Sequence, residues 1–220
     1  MPPTESPWSH WLYNDRWAIE VVFKGMRGGF FVDAGAANGL NGSASYALER
    51  DFGWTGICVE PNEKQAGVIA RRRSCRTDTR CLWSESGQTL TFHQYPGHSG
   101  MSGVAGVLPH AARLQSEGKQ PIEEIKETVS LADLLEQHGA PSTVHYLAMD
   151  IEGSEPEVLS TFDFEGPHRV LAVSIEGAAC NELLTAAGFR CVRNPFHDKK
   201  FEHYFVHETW ADSVREYLID

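Results

Sequence analysis

Four strand-like runs of the sequence end in an acid, at Asp33, Glu60, Asp150 and Glu176. In an open α/β sheet, ligands bind in the crevice beyond the carboxyl ends of the strands. If the four runs are parallel strands, their acids lie at one edge of the sheet. Carboxylates there can accept hydrogen bonds from ribose hydroxyls, attract a cation or take a proton from a reacting hydroxyl. The sequence therefore predicts a ligand site at the strand ends.

The first acid leads into a run of small residues at positions 34–39. An apolar run, an acid and then small residues with glycines indicate a strand, a tight turn and the start of a helix. Such a turn lets backbone N–H groups and one carboxylate approach a ligand closely. We predict that five residues of this turn contact a cofactor: Asp33, Gly35, Ala36, Asn38 and Gly39.

The second acid, Glu60, is followed by Pro61 and Asn62. The end of the second strand is where a carboxylate holds the ribose hydroxyls of a nucleotide-like cofactor. We therefore predict that Glu60 binds a ribose, with Pro61 beside it. Asn62 has the side chain of a helix N-cap and predicts that a helix begins directly afterwards.

The charge of the first turn indicates the kind of cofactor. The dinucleotide fingerprint of three spaced glycines fails at Ala37. Asp33, directly before the turn, would repel a pyrophosphate, whereas it suits the ammonium and sulfonium groups of S-adenosylmethionine. The sequence thus predicts S-adenosylmethionine and argues against a nicotinamide cofactor.

The region after the third predicted strand offers contacts for an adenine ring. Cys81 and Leu82 could flank the ring, and Asp78 could accept a hydrogen bond from its amino group. Ordinary strand and turn roles for these three residues are an equally open alternative.

Methyl transfer from a sulfonium to a neutral hydroxyl requires a base close to the acceptor. Asp150 and Glu176 are the first candidates for this base. His98, in a glycine-rich segment, and His197 are further candidates. Asp150 is also a candidate contact for the cofactor.

Three of the acids could instead hold a metal ion. Asp150, Glu152 and Glu176 would form a carboxylate-only site of the kind that suits Mg²⁺ or Ca²⁺ and could orient an acceptor diol. Nothing in their spacing demands a metal, so the sequence does not predict one.

The elements that position these residues alternate between strands and helices. This pattern predicts a single α/β domain over residues 1–220, with a doubly wound, mostly parallel sheet and helices on both faces. The predicted strands span 29–33, 55–60, 75–82, 89–94, 144–150, 170–176, 189–193 and 204–207. Residues 1–10 are predicted to be a loose tail. Residues 95–107 are predicted to be a mobile loop over a pocket, where Trp83, Tyr95 and Met101 could line an acceptor cleft.

The composition is that of a globular protein of 220 residues. A net charge of -11 argues against a nucleic-acid partner. The five cysteines form no CxxC pair, which favours a reducing, cytoplasmic location over a disulfide framework or a zinc site. The sequence contains no apolar run of about 18 residues and no signal-peptide pattern, so no membrane span is predicted.

Several motifs resemble those of one known family. Residues 29–36, 53–62 and 146–155 read GFFVDAGA, GWTGICVEPN and YLAMDIEGSE. Together with LADLL at 131–135, Ser102-Gly103 and NDRW at 14–17, they resemble the FkbM-type S-adenosylmethionine-dependent methyltransferases. The resemblance extends from about Asp15 to Trp210. Gly177 and Ala178, after Glu176, depart from the polar residue expected there, which leaves the shape of the acceptor pocket open.

The resemblance implies a Rossmann-like class I methyltransferase fold, with seven strands of which one near the edge is antiparallel. It also implies transfer of a methyl group, usually to a hydroxyl of a sugar, glycan or natural product. The expected partner is thus a small-molecule or carbohydrate acceptor. An N- or carboxyl-methyltransferase is the alternative, and a nicotinamide-dependent reductase or a non-catalytic binding module fits the acids less well. The sequence leaves the oligomeric state open.

Overall fold

The computed structural model describes residues 8–97 and 101–219. The strands in these residues are, in chain order, β1 (Phe30–Ala34), β2 (Thr55–Val59), β3 (Arg76–Asp78), β4 (Cys81–Leu82), β5 (Thr89–Gln94), β6 (Gly103–Val104), β7 (Ile122–Val129), β8 (Thr143–Met149), β9 (Arg169–Glu176), β10 (Phe189–Cys191) and β11 (Glu202–His207).

The helices are mostly short. In chain order they are α1 (Asn14–Arg16), which continues as a π-helix (Trp17–Val22), then α2 (Tyr46–Phe52), α3 (Glu63–Arg72), α4 (Ala111–Ser116), α5 (Leu131–Gln137), α6 (Glu155–Leu159), α7 (Asn181–Ala186) and a final 3₁₀ segment (Glu208–Tyr217). None of the helices in the described parts of the chain combines the length and the apolar character that crossing a membrane requires.

The larger sheet has seven strands in the order β10-β11-β9-β8-β1-β2-β3. β1 pairs in parallel with β2 and β8, whereas β11 is antiparallel to both of its neighbours. The chain adds β2 and β3 on one side of β1 and later adds β8 and β9 on the other. Beside β1 the strand order therefore reverses, which is the place where open α/β sheets bind ligands. The predicted α/β fold with a mostly parallel sheet is confirmed.

Alternate residues of the strands bury their side chains on opposite faces of this sheet. In β1, Phe30, Val32 and Ala34 belong to one core cluster and Phe31 to the other. The first cluster also contains side chains of α5, α6 and α7, and the second contains side chains of the π-helix, α2 and α3. Helices therefore cover both faces of the sheet.

A smaller sheet has the strand order β4-β7-β5-β6. The sequence predicts one strand over residues 75–82, but the structure divides this run between β3 in the larger sheet and β4 in the smaller one. The division occurs where Oδ1 of Asp78 accepts a hydrogen bond from the backbone N–H of Arg80 at 2.9 Å, because this bond turns the chain.

Two further elements of the smaller sheet differ from the prediction. β7, which pairs with β5 from Thr89↔Glu127 to Gln94↔Ile122, was not predicted because its charged residues obscure the strand pattern. The region predicted as an irregular loop over 95–107 contains β6, whose Gly103 pairs with His93 of β5.

The predicted loose tail is wrong for residues 8–10, while residues 1–7 lie outside the described residues. The backbone N–H and the hydroxyl of Ser9 donate to Oδ2 of Asp15 at 2.6 and 2.9 Å. The carbonyl of Ser9 accepts from the N–H of Gly42 at 2.9 Å. The buried Asp15 carboxylate therefore folds this segment back onto the sheet, and His10 is buried.

Candidate active site

The reversal beside β1 opens into a cleft whose cavity volume is about 200 Å³. Gly35 after β1, Glu60 after β2 and Asp150 after β8 line this cleft. From the smaller sheet, Phe92 and Val104 line it as well. Ligands bind where the strand order of an open α/β sheet reverses, so this cleft is the candidate active site.

Gly35 joins the end of β1 to the loop after β8. Its φ is +81°, and a Cβ at this position would collide with the backbone oxygen of Asp150. Only glycine fits there. The N–H groups of Gly35 and Ala36 also donate to the carbonyl of Val59 at 3.0 and 3.2 Å. The ends of three strands are therefore fixed together at Gly35.

Glu60 lines the cleft, and its side chain is buried. Its Oε1 accepts a hydrogen bond from the backbone N–H of Asn62 at 2.8 Å. Burial raises the pKa of Glu60 to about 7; the nearby Asp33 also raises it, whereas the N–H groups of Asn62 and Ala37 and the charge of Lys126 lower it. The carboxyl group is thus held in place beside a space that can admit ligand hydroxyls.

Asn62 is the N-cap of α3, as predicted. Its side chain accepts hydrogen bonds from the backbone N–H groups of Lys64 and Gln65. Because the cap fixes Asn62, it also fixes the N–H that holds Glu60. Pro61, between these two residues, lines the cleft.

Asp33 does not line the cleft, although the sequence predicts that it contacts a cofactor. Its Oδ2 accepts hydrogen bonds from the hydroxyls of Ser43 at 2.8 Å and Ser45 at 2.6 Å. The guanidinium of Arg73 donates to both hydroxyls at 3.1 Å. Asp33 points to the same face of the sheet as Phe31, and this network holds it there.

Three other residues of the predicted turn have structural roles and do not line the cleft. Ala36 is buried in the core, and Oδ1 of Asn38 accepts from the backbone N–H groups of residues 40 and 41. A Cβ at Gly39 would lie 2.6 Å from the Ile69 side chain. The sequence missed Asn41, which lines the cleft because the chain turns there.

Two of the three residues predicted to contact an adenine line the cleft, and one does not. Cys81 and Leu82 line the cleft. Asp78 does not, contrary to the prediction, because Arg80 and Nε2 of His138 already occupy its oxygens at 2.6 and 2.8 Å. Burial alone would raise the pKa of Asp78, but hydrogen bonds from Arg80 and His138 outweigh it and lower the pKa.

Three acids meet at the ends of β8 and β9. Asp150, Glu152 and Glu176 each offer an oxygen that lies within 4.8 Å of the other two. The pKa of Asp150 is raised well above its usual value. The largest cause is the loss of solvation among the surrounding protein atoms, and repulsion from Glu176 and Glu152 adds to it. Burial, together with repulsion from Glu176 and Glu155, raises the pKa of Glu152 to about 8. Asp150 and Glu152 line the cleft.

Glu155 holds the loop that carries these acids. Its Oε1 accepts from the N–H of Ile151 at 2.8 Å, and its Oε2 accepts from the N–H of Gly153 at 2.9 Å. Both carboxylate oxygens are therefore used within the loop, and Glu155 is buried. Its role is to shape the loop.

We expect Glu155→Gln to destabilise the fold by about 1–3 kcal/mol, because an amide nitrogen would face one of the two N–H donors. Urea unfolding would measure this change. The matched control is Glu157→Gln, in the same helix but exposed, which should stay within about 0.5 kcal/mol of the wild type. Equal effects of the two variants would contradict the role of Glu155.

A smaller cavity of about 20 Å³ adjoins the cleft, and His10 and Asp150 line both spaces. Asp33, Asn14 and Glu202 also line this smaller cavity. The amide of Asn14 donates to Oε1 of Glu202 at 2.6 Å. Burial raises the pKa of Glu202 to about 8 and lowers that of His10 to about 4. Near neutral pH, His10 is therefore an uncharged imidazole.

His10 and Trp11 line the cleft but were not predicted. No local pattern marks them, because Ser9 and Asp15 bring this segment to the site through contacts of the folded chain. Trp11 is 62% exposed and stacks on Phe201, with ring centroids 5.7 Å apart. An aromatic surface therefore lies at the rim of the cleft.

His98 lies outside the described residues. Of the candidates that the structure describes, His197, Trp83, Tyr95 and Met101 do not line the cleft. Nε2 of His197 contacts the Tyr204 hydroxyl at 2.7 Å, and its Nδ1 accepts from the N–H of Lys199. Trp83, Tyr95 and Met101 pack in small hydrophobic clusters instead.

The parallel-rich sheet with helices on both faces and a cleft at the strand-order reversal is typical of a Rossmann-like fold. A family model, the methyltransferase FkbM domain, matches residues 33–190. The chain belongs to this family of methyltransferases. The resemblance found in the sequence is thereby confirmed. A comparison with curated proteins finds no match.

Proposed function

We propose that the chain is an S-adenosylmethionine-dependent methyltransferase that methylates a hydroxyl of a sugar, a glycan or a glycosylated small molecule. One observation carries this proposal: a single cleft is lined by Glu60 on the cofactor side and by Asp150 and Glu152 on the other. The family supplies methyl transfer as the reaction class.

The residues that line the cleft fit the nucleoside part of this cofactor. Glu60 would accept hydrogen bonds from the two ribose hydroxyls, and Pro61, Cys81 and Leu82 would contact the adenine. Burial raises the pKa of Cys81 to about 12, so its thiol stays neutral and presents an apolar surface to the ring.

The methionine part would lie near Gly35, towards the smaller cavity. Asp33, Asp150 and Glu202 line that cavity, so an ammonium group there would be attracted to acids. Asp33 would thus attract the ammonium group from the smaller cavity and would not contact the cofactor in the cleft itself. The uncharged His10, which lines both cavities, would add no repulsion.

When bound, S-adenosylmethionine would supply an electrophilic methyl group on a positively charged sulfur, which would keep the electron pair of the carbon–sulfur bond. The acceptor hydroxyl would bond to the methyl carbon through its oxygen, and its proton would pass to a carboxylate of the protein. Asp150 is the proposed base because it lines the cleft. Glu176 would act through Asp150, since it contacts that group but does not line the cleft.

The rim and the charge of the cleft favour a neutral, ring-shaped acceptor. Trp11 and Phe201 offer aromatic faces, which pack well against the apolar face of a sugar ring. A carboxylate acceptor would bring a fourth acid beside Asp150, Glu152 and Glu176, where mutual repulsion already raises the pKa of Asp150 and Glu152. The acids therefore favour O-methylation of a hydroxyl over carboxyl methylation.

The proposal extends to the domain organisation and the cellular compartment. We propose that residues 1–220 work as one domain. We also propose a reducing compartment such as the cytoplasm, because all five cysteines are free.

Calorimetry and an acceptor screen test the proposal. S-adenosylmethionine or S-adenosylhomocysteine should bind, and labelled cofactor should transfer its methyl group to sugars or glycosides. Binding of NAD in place of both ligands would overturn the cofactor assignment. Transfer to amines or carboxylates but not to hydroxyls would overturn the acceptor class.

We expect Trp11→Ala to raise KM for the acceptor roughly tenfold, because a stacking surface is lost. The dissociation constant of S-adenosylmethionine should stay unchanged. The control is Ile125→Ala, a residue that is 71% exposed and lies on β7 away from the cleft lining. If KM stays unchanged in Trp11→Ala, the aromatic rim does not bind the acceptor.

A further inference from the structure

Three acids lie close together after β8 and β9, whereas the proposed base needs only one carboxylate. Asp150, Glu152 and Glu176 each direct one oxygen to a common region, with all three oxygens within 4.8 Å of one another. Three carboxylates at this separation repel one another unless they share a proton or hold a cation between them.

Glu152 supplies an independent observation that indicates a missing ligand. The residue is only 7% exposed, and its Oε2 is buried without a hydrogen-bond partner. Nε2 of His110 lies 3.9 Å from this oxygen, which is too distant for a hydrogen bond. A buried carboxylate oxygen that lacks a donor costs free energy, unless a ligand satisfies it.

The backbone holds Glu152 in this position. Its φ is +57°, in the left-handed region that non-glycine residues seldom adopt. Gly153 follows with φ +96°, and the N–H of Gly153 donates to Glu155. The loop is therefore built so that Glu152 enters the acid group and does not turn to solvent.

Other buried acids of the site are satisfied by the protein itself. Asp33 accepts from two hydroxyls, Glu155 from two backbone N–H groups and Glu202 from the amide of Asn14. By contrast, no lysine or arginine in the described residues forms an ion pair with any of the three clustered acids. Oε2 of Glu152 thus lacks the kind of hydrogen-bond donor that satisfies the other acids of the site.

We propose that Asp150, Glu152 and Glu176 bind a divalent cation, and that Mg²⁺ is the ion which this site suits. The donors are all carboxylate oxygens, which hard cations prefer. Mg²⁺ needs only one or two carboxylates from the protein and keeps several waters. Because Asp150 and Glu152 line the cleft, the remaining positions on the ion would face the acceptor.

The role of the ion rests on the proposed function. A cation here would coordinate two neighbouring hydroxyl oxygens of a sugar and lower the pKa of the one that reacts. One oxygen of Asp150 is enough to reach the other two acids, and its second oxygen would then accept the proton. The acceptor class narrows accordingly to a compound with a vicinal diol.

Binding of Mn²⁺, followed by electron paramagnetic resonance, tests the site without any methyl transfer. We expect one Mn²⁺ per chain, displaced by Mg²⁺ more readily than by Ca²⁺. Glu152→Gln should weaken Mn²⁺ binding roughly ten- to a hundredfold. Glu157→Gln, the exposed neighbour, should bind as the wild type does. A thermal unfolding curve would show that both variants are folded.

Three outcomes would overturn the proposal or separate it from the proposed function. Absence of Mn²⁺ binding at millimolar concentration, or equal binding by wild type and Glu152→Gln, would overturn the proposed metal site. A proton shared between the acids would then explain how they lie so close together. Displacement by Ca²⁺ but not by Mg²⁺ would overturn the choice of ion. If Mn²⁺ binds while S-adenosylmethionine does not, the metal site stands and the proposed function fails.

Discussion

Glu60→Gln should weaken S-adenosylmethionine binding roughly a hundredfold. The proposed ribose contact consists of two hydroxyls that donate to one carboxylate, and hydrogen bonds to a charged group contribute about 1.5–3 kcal/mol each. A glutamine keeps one acceptor oxygen but loses the charge. The fold should survive, because burial already disfavours the charged form of Glu60. Isothermal titration calorimetry of both proteins would measure the difference.

The same contact should make binding depend on pH. The pKa of Glu60 is about 7 in the free protein, and accepting two ribose hydroxyls would lower it. Below pH 7, binding therefore has to release a proton, so wild-type affinity should rise by at most about tenfold per pH unit up to pH 7 and then level off. Glu60→Gln should lose this dependence.

Glu63→Gln is the matched control for Glu60→Gln. Glu63 lies at the start of α3, its side chain is 81% exposed and it does not line the cleft. The affinity of Glu63→Gln for S-adenosylmethionine, and the pH dependence of that affinity, should both equal those of the wild type. If Glu60→Gln binds S-adenosylmethionine as tightly as the wild type at pH 7.5, Glu60 does not hold the ribose.

Asp150→Asn should lower kcat roughly a hundred- to ten-thousandfold, which is the usual contribution of a positioned base. Asparagine has nearly the shape of aspartate but cannot accept the hydroxyl proton. The dissociation constant of S-adenosylmethionine should change by less than about tenfold, because Asp150 is only one of several acids beside the smaller cavity. Steady-state kinetics together with calorimetry would separate the two effects.

The variant should remain folded, since it removes repulsion among three close acids. Asp212→Asn is the control, because Asp212 is 93% exposed and lies in the final 3₁₀ segment. Glu176→Gln should lower kcat less than Asp150→Asn, since Glu176 does not line the cleft. A wild-type kcat in Asp150→Asn would remove this residue from the mechanism.

The sequence predicted the location of the site because that location depends on local patterns. Apolar runs that end in an acid mark the ends of parallel strands, so Glu60 and Asp150 could be placed at one edge. The helix cap at Asn62 is likewise a local feature, since a side chain satisfies the backbone two and three residues ahead.

The orientation of side chains could not be predicted in the same way. Asp33 and Ala34 are neighbours, yet they point to opposite faces of β1, and the sequence does not say which face meets the ligand. Asp78 could not be excluded, because His138, which occupies one of its oxygens, lies far away in the chain.

The residues that the sequence missed reach the cleft through long-range contacts. His10 and Trp11 arrive because Ser9 bonds to Asp15 and to Gly42. Similarly, β7 forms because β5 is there to pair with it, in spite of the charged residues of β7. Patterns within a single segment contain no information on either contact.

The close approach of Gly35 to the backbone oxygen of Asp150 fixes the distance between the ends of β1 and β8. The spacing between the two halves of the cleft is set by main-chain atoms of adjacent strands, which side-chain substitutions do not alter. Under the proposed function, substitutions of the exposed Trp11 at the rim would change the contacts to the acceptor and leave this spacing unchanged. The choice of acceptor could then be engineered separately from the reaction geometry.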